Sequence, residues 1–411
     1  MQENKTKLPT NTNTPGVGKY YESVAIAFRY AKFIVLFFTI IFLMVIMSFY
    51  RDEISVDNFQ YMIKYISNDD DTLITTKRIN YPTSDSKALD LFAGDFASAG
   101  SGGITLYDTN GNTVLSIDAV MSEPVFSTGK KFALCYDLSG YNYVIFNTFS
   151  KLYQEELDFP ISAGVIDNKG NFAILTKDKE YKTVINVHDS DFDIISRVYK
   201  DAFTFDLDIN DTALIYSSAR ALDSRFITEV SYLKHKSSEE TVVATLYDEF
   251  PIRTKFSSDN FYVLTDKSLY FFDSADLSQT ATYSFMSRTP KGIVSSDKYV
   301  MIYFEKNMIA SENEIKMYTN DGRHLFTCPV SGKISSVDIN EEYAIIHTSD
   351  TIYRIDISAN KIEAAKVDSG ADKALLQSDS SALVCYKNYA RLIDFTEIYD
   401  SRYIDITKGD D

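Results

Sequence analysis

The chain contains no tryptophan in 411 residues, only three cysteines and only four histidines. Each scarcity excludes a class of protein. Cys135, Cys328 and Cys385 lie far apart, match no CxxC or metal-ligand spacing, and form no disulfide framework. Each sits in an apolar run, where a free thiol packs as a small hydrophobe. His188, His235, His324 and His347 fit no HExxH or related spacing, so they are expected as surface or satisfied structural histidines. GxSxG, GxxxxGK[ST] and GxGxxG are all missing, which argues against serine-hydrolase and nucleotide-binding chemistry. Sixteen glycines and eight prolines are too few for a low-complexity chain. Positive charge is also in deficit. Forty-one Lys and Arg face 58 Asp and Glu, a net −17 that repels nucleic acid and anionic lipid.

What is present has a globular balance, with 45 % hydrophobic and 24 % charged residues. All of the 14 % aromatic share is Tyr and Phe, which favour strands. The long apolar run, Phe33 to Tyr50 ("FIVLFFTIIFLMVIMSFY"), carries no charge and is bracketed by Lys32 and Arg51. As a helix its 18 residues cover about 27 Å, close to the roughly 30 Å hydrocarbon core of a bilayer. It lacks the polar stripe of a core helix, and no small-x-small cleavage site follows it, so an uncleaved membrane anchor is expected. Residues 1–50 hold Lys5, Lys7, Lys19, Arg29 and Lys32 against Glu3 and Glu22. This positive flank places residues 1–32 in the cytoplasm as a largely disordered tail and everything after the span outside. In residues 51–72, Val56, Phe59, Met62, Ile63 and Ile66 recur at three- and four-residue spacing, predicting a stalk with a short amphipathic helix.

From residue 73 onward the chain repeats itself. Apolar runs open at Phe132, Phe172, Thr212, Phe261, Tyr299, Tyr343 and Ala382, in steps of 40, 40, 49, 38, 44 and 39 residues. The long step contains an extra loop, "SARALDSRF", and "EKNMIASENE" is the other long connection. Each run is followed by a third strand ("YVIFN", "LYFFD", "IYRID") and a more polar fourth. Asn110-Gly111 and Asp321-Gly322 supply hairpin turns between these two strands. Strand-built repeats near forty residues predict an all-β propeller, with four-stranded blades and one transmembrane helix ahead of it. Eight units can be counted, and seven is the alternative if the Gly-Ala-rich first unit is irregular. The last unit shows three strands, ending at Asp394. Either "RYIDIT" near the C-terminus or "LITTKRINY" near the N-terminus supplies the fourth and removes a bare sheet edge.

The basic tail, the span "YAKFIVLFFTIIFLMV", the following "NFQYMIKYI" and the strand repeats together resemble an uncharacterised family of signal-anchored, propeller-like proteins of Gram-positive, clostridial-type bacteria. The resemblance covers nearly the whole chain. It implies a membrane location and a quinoprotein- or WD40-like propeller, and it brings no functional residues. Without Trp, the chain lacks the Trp-Asp pairs of ordinary WD40 repeats, the tryptophan docking of quinoprotein dehydrogenases and the Thr-Trp end of sialidase Asp boxes. "SSDN" and "SSDK" keep only a Ser-x-Asp start, read as turns in which Asp caps its own backbone.

Among candidate sites, "FDLDINDT" is the most acidic inner stretch. By alternation Asp206 and Asp208 share one strand face, which suits convergence on Ca²⁺, yet that ion wants six to eight oxygens and the other inner strands offer several lysines. A turn or solvated edge is the preferred reading, and no catalytic, cofactor or metal residue is assigned. "YDTNGN" and "NDDDT" lack the Glu at position twelve of a calcium loop and read as a hairpin and a linker. The expected role is a non-catalytic binding or scaffold module for a protein or cell-envelope partner, held by a single span and not binding nucleic acid. The alternatives are a metal-dependent hydrolase or lactonase-like propeller and a surface sensor signalling through the span.

Overall fold

A computed structural model describes residues 15–49, 77–84, 87–237, 239–285, 288–307, 311–395 and 398–404. The stalk at 51–72, residues 1–14 and Tyr50 lie outside the described residues. The chain divides into two units, 1–69 and 70–411.

The first unit contains one α-helix, Pro15–Phe49. Pro15 is suited to the first helical position, since its missing N–H would have no partner there. The helix begins upstream of the expected span and takes in residues 15–32, which composition had assigned to a disordered tail. The physical reason lies in 23–32, "SVAIAFRYAK", where apolar and small residues outnumber Arg29 and Lys32. Within it, Ser23–Phe42 is a stretch long and apolar enough to cross a bilayer, with a mean hydropathy of 2.0 and no burial. At 1.5 Å per residue, these 20 residues reach about 30 Å.

In the second unit, eight antiparallel sheets follow one another along the chain at 88–117, 124–156, 163–200, 203–247, 251–284, 290–331, 334–366 and 373–394. Each is a blade whose strands pair in sequence order. The expected eight-bladed propeller is therefore what forms. The local pattern explains the layering. In blade two, Ala133–Asp137 is buried throughout, while its outermost strand, Lys151–Glu156, alternates between exposed and half-buried. The hydrophobic core is not one mass but eight clusters, one at each blade-to-blade interface. Phe and Tyr fill these seams. Phe92 of blade one, for example, meets Phe146 of blade two with centroids 5.8 Å apart, and Tyr143 of blade two meets Phe172 of blade three at 5.9 Å.

The two candidate closures are now distinguished. Arg78–Asn80 pairs with Tyr389–Arg391 and becomes the fourth strand of blade eight, so the N-terminal segment closes the ring. Ile79 and Tyr81 enter the cluster that joins blade eight to blade one. The C-terminal strand, Ile398–Tyr403, is instead a fifth strand on blade seven, beside Lys361–Ala365. This covers the one outer strand whose pattern, Lys361–Lys366, is mostly buried.

"SARALDSRF" is not a loop. Ala213–Leu222 and Arg225–Lys234 form a continuous hairpin of ten-residue strands, joined by Asp223-Ser224 at φ 49° and 67°. Two successive positive φ values match the twist of a tight hairpin turn, so the added residues extend the sheet. "EKNMIASENE" likewise belongs largely to the strands Tyr299–Asn307 and Glu312–Thr319, with 308–310 outside the described residues.

Candidate functional site

The first strand of each blade pairs on one edge only, with the blade's second strand. Its other edge faces the ring's centre and the neighbouring blade, leaving backbone N–H groups to be satisfied by something else. The chain supplies side chains from the preceding blade. Asp206 Oδ2 accepts from the Thr254 N–H at 2.7 Å and Asp208 Oδ2 from the Phe256 N–H at 2.9 Å. Ser336 Oγ accepts from Ala374 at 2.9 Å and Asp338 Oδ2 from Leu376 at 2.8 Å. Ser127 Oγ accepts from Ile166 at 3.2 Å. In the Asp206/Asp208 and Ser336/Asp338 pairs the two acceptors are two residues apart, because only alternate residues of a strand share a face. At the seam between blades eight and one the donor role is reversed: Lys373 Nζ of blade eight donates to the Leu89 carbonyl of blade one at 2.7 Å.

Asp206 and Asp208 do therefore share one face, as alternation predicted. Each commits an oxygen to the next blade's backbone, and the Arg253 guanidinium lies 3.5 Å from Asp206 Oδ1, where a cation would otherwise sit. Among the described residues, no group of three or more His, Cys, Asp or Glu converges to hold a metal ion. Burial pushes the Asp206 carboxyl up to about 6 against the opposing pull of Arg253. Asp338 is likewise raised to about 6 by burial, and Asp208 is shifted upward for the same reason.

Sequence reasoning missed Ser336 and Asp338. A signal was available, because Asp208-Ile209-Asn210 recurs as Asp338-Ile339-Asn340. In each copy the Asn closes the following turn. Asn210 Oδ1 accepts from the Thr212 and Ala213 N–H groups, and Asn340 Oδ1 from those of Glu342 and Tyr343. In "SSDK" the capping is done by Ser296 Oγ, which accepts from Lys298 and Tyr299, where Asp capping was expected. In "YDTNGN", Asp108 Oδ1 accepts from Asn110 and Asn112, the expected hairpin turn.

The ring's centre holds a cavity of about 1180 Å³, bordered by Asp90, Asp206, Asp208, Arg253 and Lys255 and reaching the first-to-second strand turns at Asp167, Asp297 and Glu341. All three cysteines are buried and free. Burial pushes the Cys385 thiol up to about 12, which leaves no thiolate for chemistry. His347 departs from expectation. It is fully buried, and neither ring nitrogen has a hydrogen-bond partner. Burial moves it below the ordinary histidine value, so it is held neutral.

Four-stranded blades round a channel, sewn together by side chains and closed by the N-terminal strand, define the molecule as an eight-bladed β-propeller. Residues 67–395 match the family model described as "Family of unknown function (DUF5711)", and the chain belongs to that family. No curated protein matches it in sequence. Among solved structures it is similar to the computationally designed Ika8 protein (TM-score 0.59, 13 % identity, covering 77 % of this chain and 99 % of that one). It is also similar to the C-terminal WD40 domain of Sif2 (TM-score 0.55, 10 % identity, 79 % and 98 %). BamB from Moraxella catarrhalis is comparable (TM-score 0.50, 10 % identity, 77 % and 98 %). At such low identity these likenesses establish the fold alone.

Proposed function

We propose that the chain is a membrane-anchored, extracytoplasmic propeller that acts as a non-catalytic binding or scaffold module for a protein or cell-envelope partner. The observation that carries this reading is the use of the channel's acidic side chains. The carboxylates best placed for catalysis, Asp206, Asp208 and Asp338, already accept hydrogen bonds from the next blade, so the centre of the ring is a structural seam. Function then falls to the exposed faces, where propellers carry their variable connections. Anchoring is supported by the unburied apolar stretch Ser23–Phe42 and by the basic residues ahead of it, which favour an inside N-terminus. The net −17 leaves nucleic acid an unsuitable partner.

Two measurements test the proposal. Protease added to intact cells should digest the acidic C-terminal portion and spare the tail, and full protection of that portion would refute the topology. Affinity isolation of the full chain from detergent-solubilised membranes should return a stoichiometric partner. Repeated recovery of the bait alone would refute the binding role.

A further inference from the structure

Four successive blades carry a one-residue bulge near the start of their inner strand, at Thr204/Asp206, Pro251/Arg253, Pro290/Gly292 and Ile334/Ser336. A bulge leaves its extra residue unpaired and re-aims the side chain. The ejected residues are Phe205, Ile252, Lys291 and Ser335, all of them exposed. Blades six and seven thus present a cation and a hydroxyl where blades four and five present bulky hydrophobes. Nothing in strand packing requires that difference, since the same backbone feature tolerates Lys291.

Phe205 and Ile252 do not stand alone. The Phe205 ring lies 4.3 Å from Phe250, which in turn lies 5.4 Å from Phe226. Phe203, Leu222 and Tyr247 of blade four are each about half exposed. Leu222 is carried by the ten-residue hairpin of blade four, longer than the five- to nine-residue second strands of the other blades. All these residues lie on the side of the ring with the second-to-third and blade-to-blade connections. The closing strand begins, at Arg78, on the other side, where third strands end. The cations nearby are engaged locally. Arg225 pairs with Asp248 and covers Tyr247, Arg220 pairs with Glu229, and Lys182 covers Phe203.

Bulky hydrophobes exposed together on one side of a domain, with polar residues around them, mark an interaction site. Building on the binding-module reading, we propose that this surface is the docking site for a basic partner protein, which inserts bulky apolar side chains among Phe203, Phe205, Leu222, Tyr247, Phe250 and Ile252. Charge complementarity selects the occupant, because a body of net −17 attracts a basic protein. It repels a second copy of itself and an anionic lipid surface equally.

The test pans a displayed library of random 12-residue peptides against the full chain in detergent, followed by titration of the selected synthetic peptides. The expected binders carry a Lys/Arg excess and at least two bulky apolar residues. Phe205→Lys and Ile252→Lys should weaken them at least tenfold, while Val120→Lys, at an exposed position between blades one and two, should leave affinity unchanged. These variants preserve folding, since Lys291 already occupies the equivalent position in blade six. Binders indifferent to Phe205→Lys and Ile252→Lys would overturn this surface and leave the binding-module reading intact, whereas failure to select any binder would overturn both. Two further results would also overturn the proposal. One is quenching, by brominated lipid in phosphatidylcholine/phosphatidylglycerol vesicles, of a fluorophore attached through Leu222→Cys. The other is a dimer in sedimentation that Phe205→Lys abolishes.

Discussion

The Asp208 carboxylate of blade four holds the Phe256 N–H of blade five at 2.9 Å, forty-eight residues along the chain. Asp338 and Leu376 repeat the arrangement between blades seven and eight. Removing the acceptor strands a backbone donor in the ring's interior. Asp208→Ala should therefore cost about 1–3 kcal/mol in urea unfolding, and Asp208→Asn, which keeps an acceptor, distinctly less. Equal effects of the two would refute the bridging role.

The same seam has a pH signature. Asp206 and Asp338 titrate at about 6 in the folded chain, above the ordinary 3.8. The folded state therefore binds their protons more readily, and their contribution to stability grows as pH falls from about 6 towards 4. It is fully present below that range and lost as pH rises through 6. The double variant Asp206→Asn with Asp338→Asn should flatten this part of the profile, measured as the urea midpoint at pH 7 and pH 5. An unchanged slope would contradict the assignment.

His347 works in the opposite direction. Its depressed folded value means that the unfolded chain takes up the proton first, so its contribution is present above about 6.5 and lost as pH falls below it. His347→Leu removes two unpartnered buried nitrogens and should stabilise the protein by about 1 kcal/mol at pH 7. The gain should be larger at pH 5.5. Destabilisation at both pH values would show that the imidazole has a partner.

Closure depends on a three-residue strand. Ile79 is buried in the seam between blades eight and one, and Ile79→Ala should cost about 2–5 kcal/mol. Arg78 and Arg391 stand opposite each other in this ladder, yet each is placed elsewhere. Arg78 lies over Tyr389 at 4.0 Å, and Arg391 reaches Asp368 at 2.8 Å. Hydrogen exchange should show Tyr389–Arg391 amides losing protection in Ile79→Ala before those of blade four.

Two backbone positions test local geometry. A Cβ on Gly129 would lie 2.4 Å from the Asp167 carbonyl oxygen, a backbone atom that cannot turn aside, so Gly129→Ala should lower thermal stability markedly. At the blade-four hairpin, Asp223→Asn with Ser224→Gly suits the two positive φ angles and should raise stability by about 0.5–1 kcal/mol. Both are read by calorimetry of the full chain.

Much of the fold was legible from local pattern. The apolar run opening at Phe261 is the buried strand Asn260–Thr265, and the run at Tyr343 is Tyr343–Thr348. "LDSRF" misled because Asp and Ser usually mark loops, whereas here they occupy the two turn positions inside a longer hairpin. Alternation puts Asp206 and Asp208 on one strand face, but their partners are backbone donors on another blade. No composition reports which donors those are.

The amino-acid order alone determined what forms within about forty residues: which runs become strands, where most turns fall, that the strands repeat as propeller blades, and that an apolar helix precedes them. That the Gly-Ala-rich first unit is a regular blade, making eight, was decided by the tertiary structure. Only the tertiary structure decided which terminus closes the ring, which strand the other end covers, what the channel aspartates hold and which hydrophobes the bulges turn outward. The physical reason is range. Strand pattern and turn chemistry act between neighbours in sequence, whereas a free sheet edge is satisfied by whatever group the closed ring brings beside it, in this chain as far apart in sequence as Arg78 and Arg391.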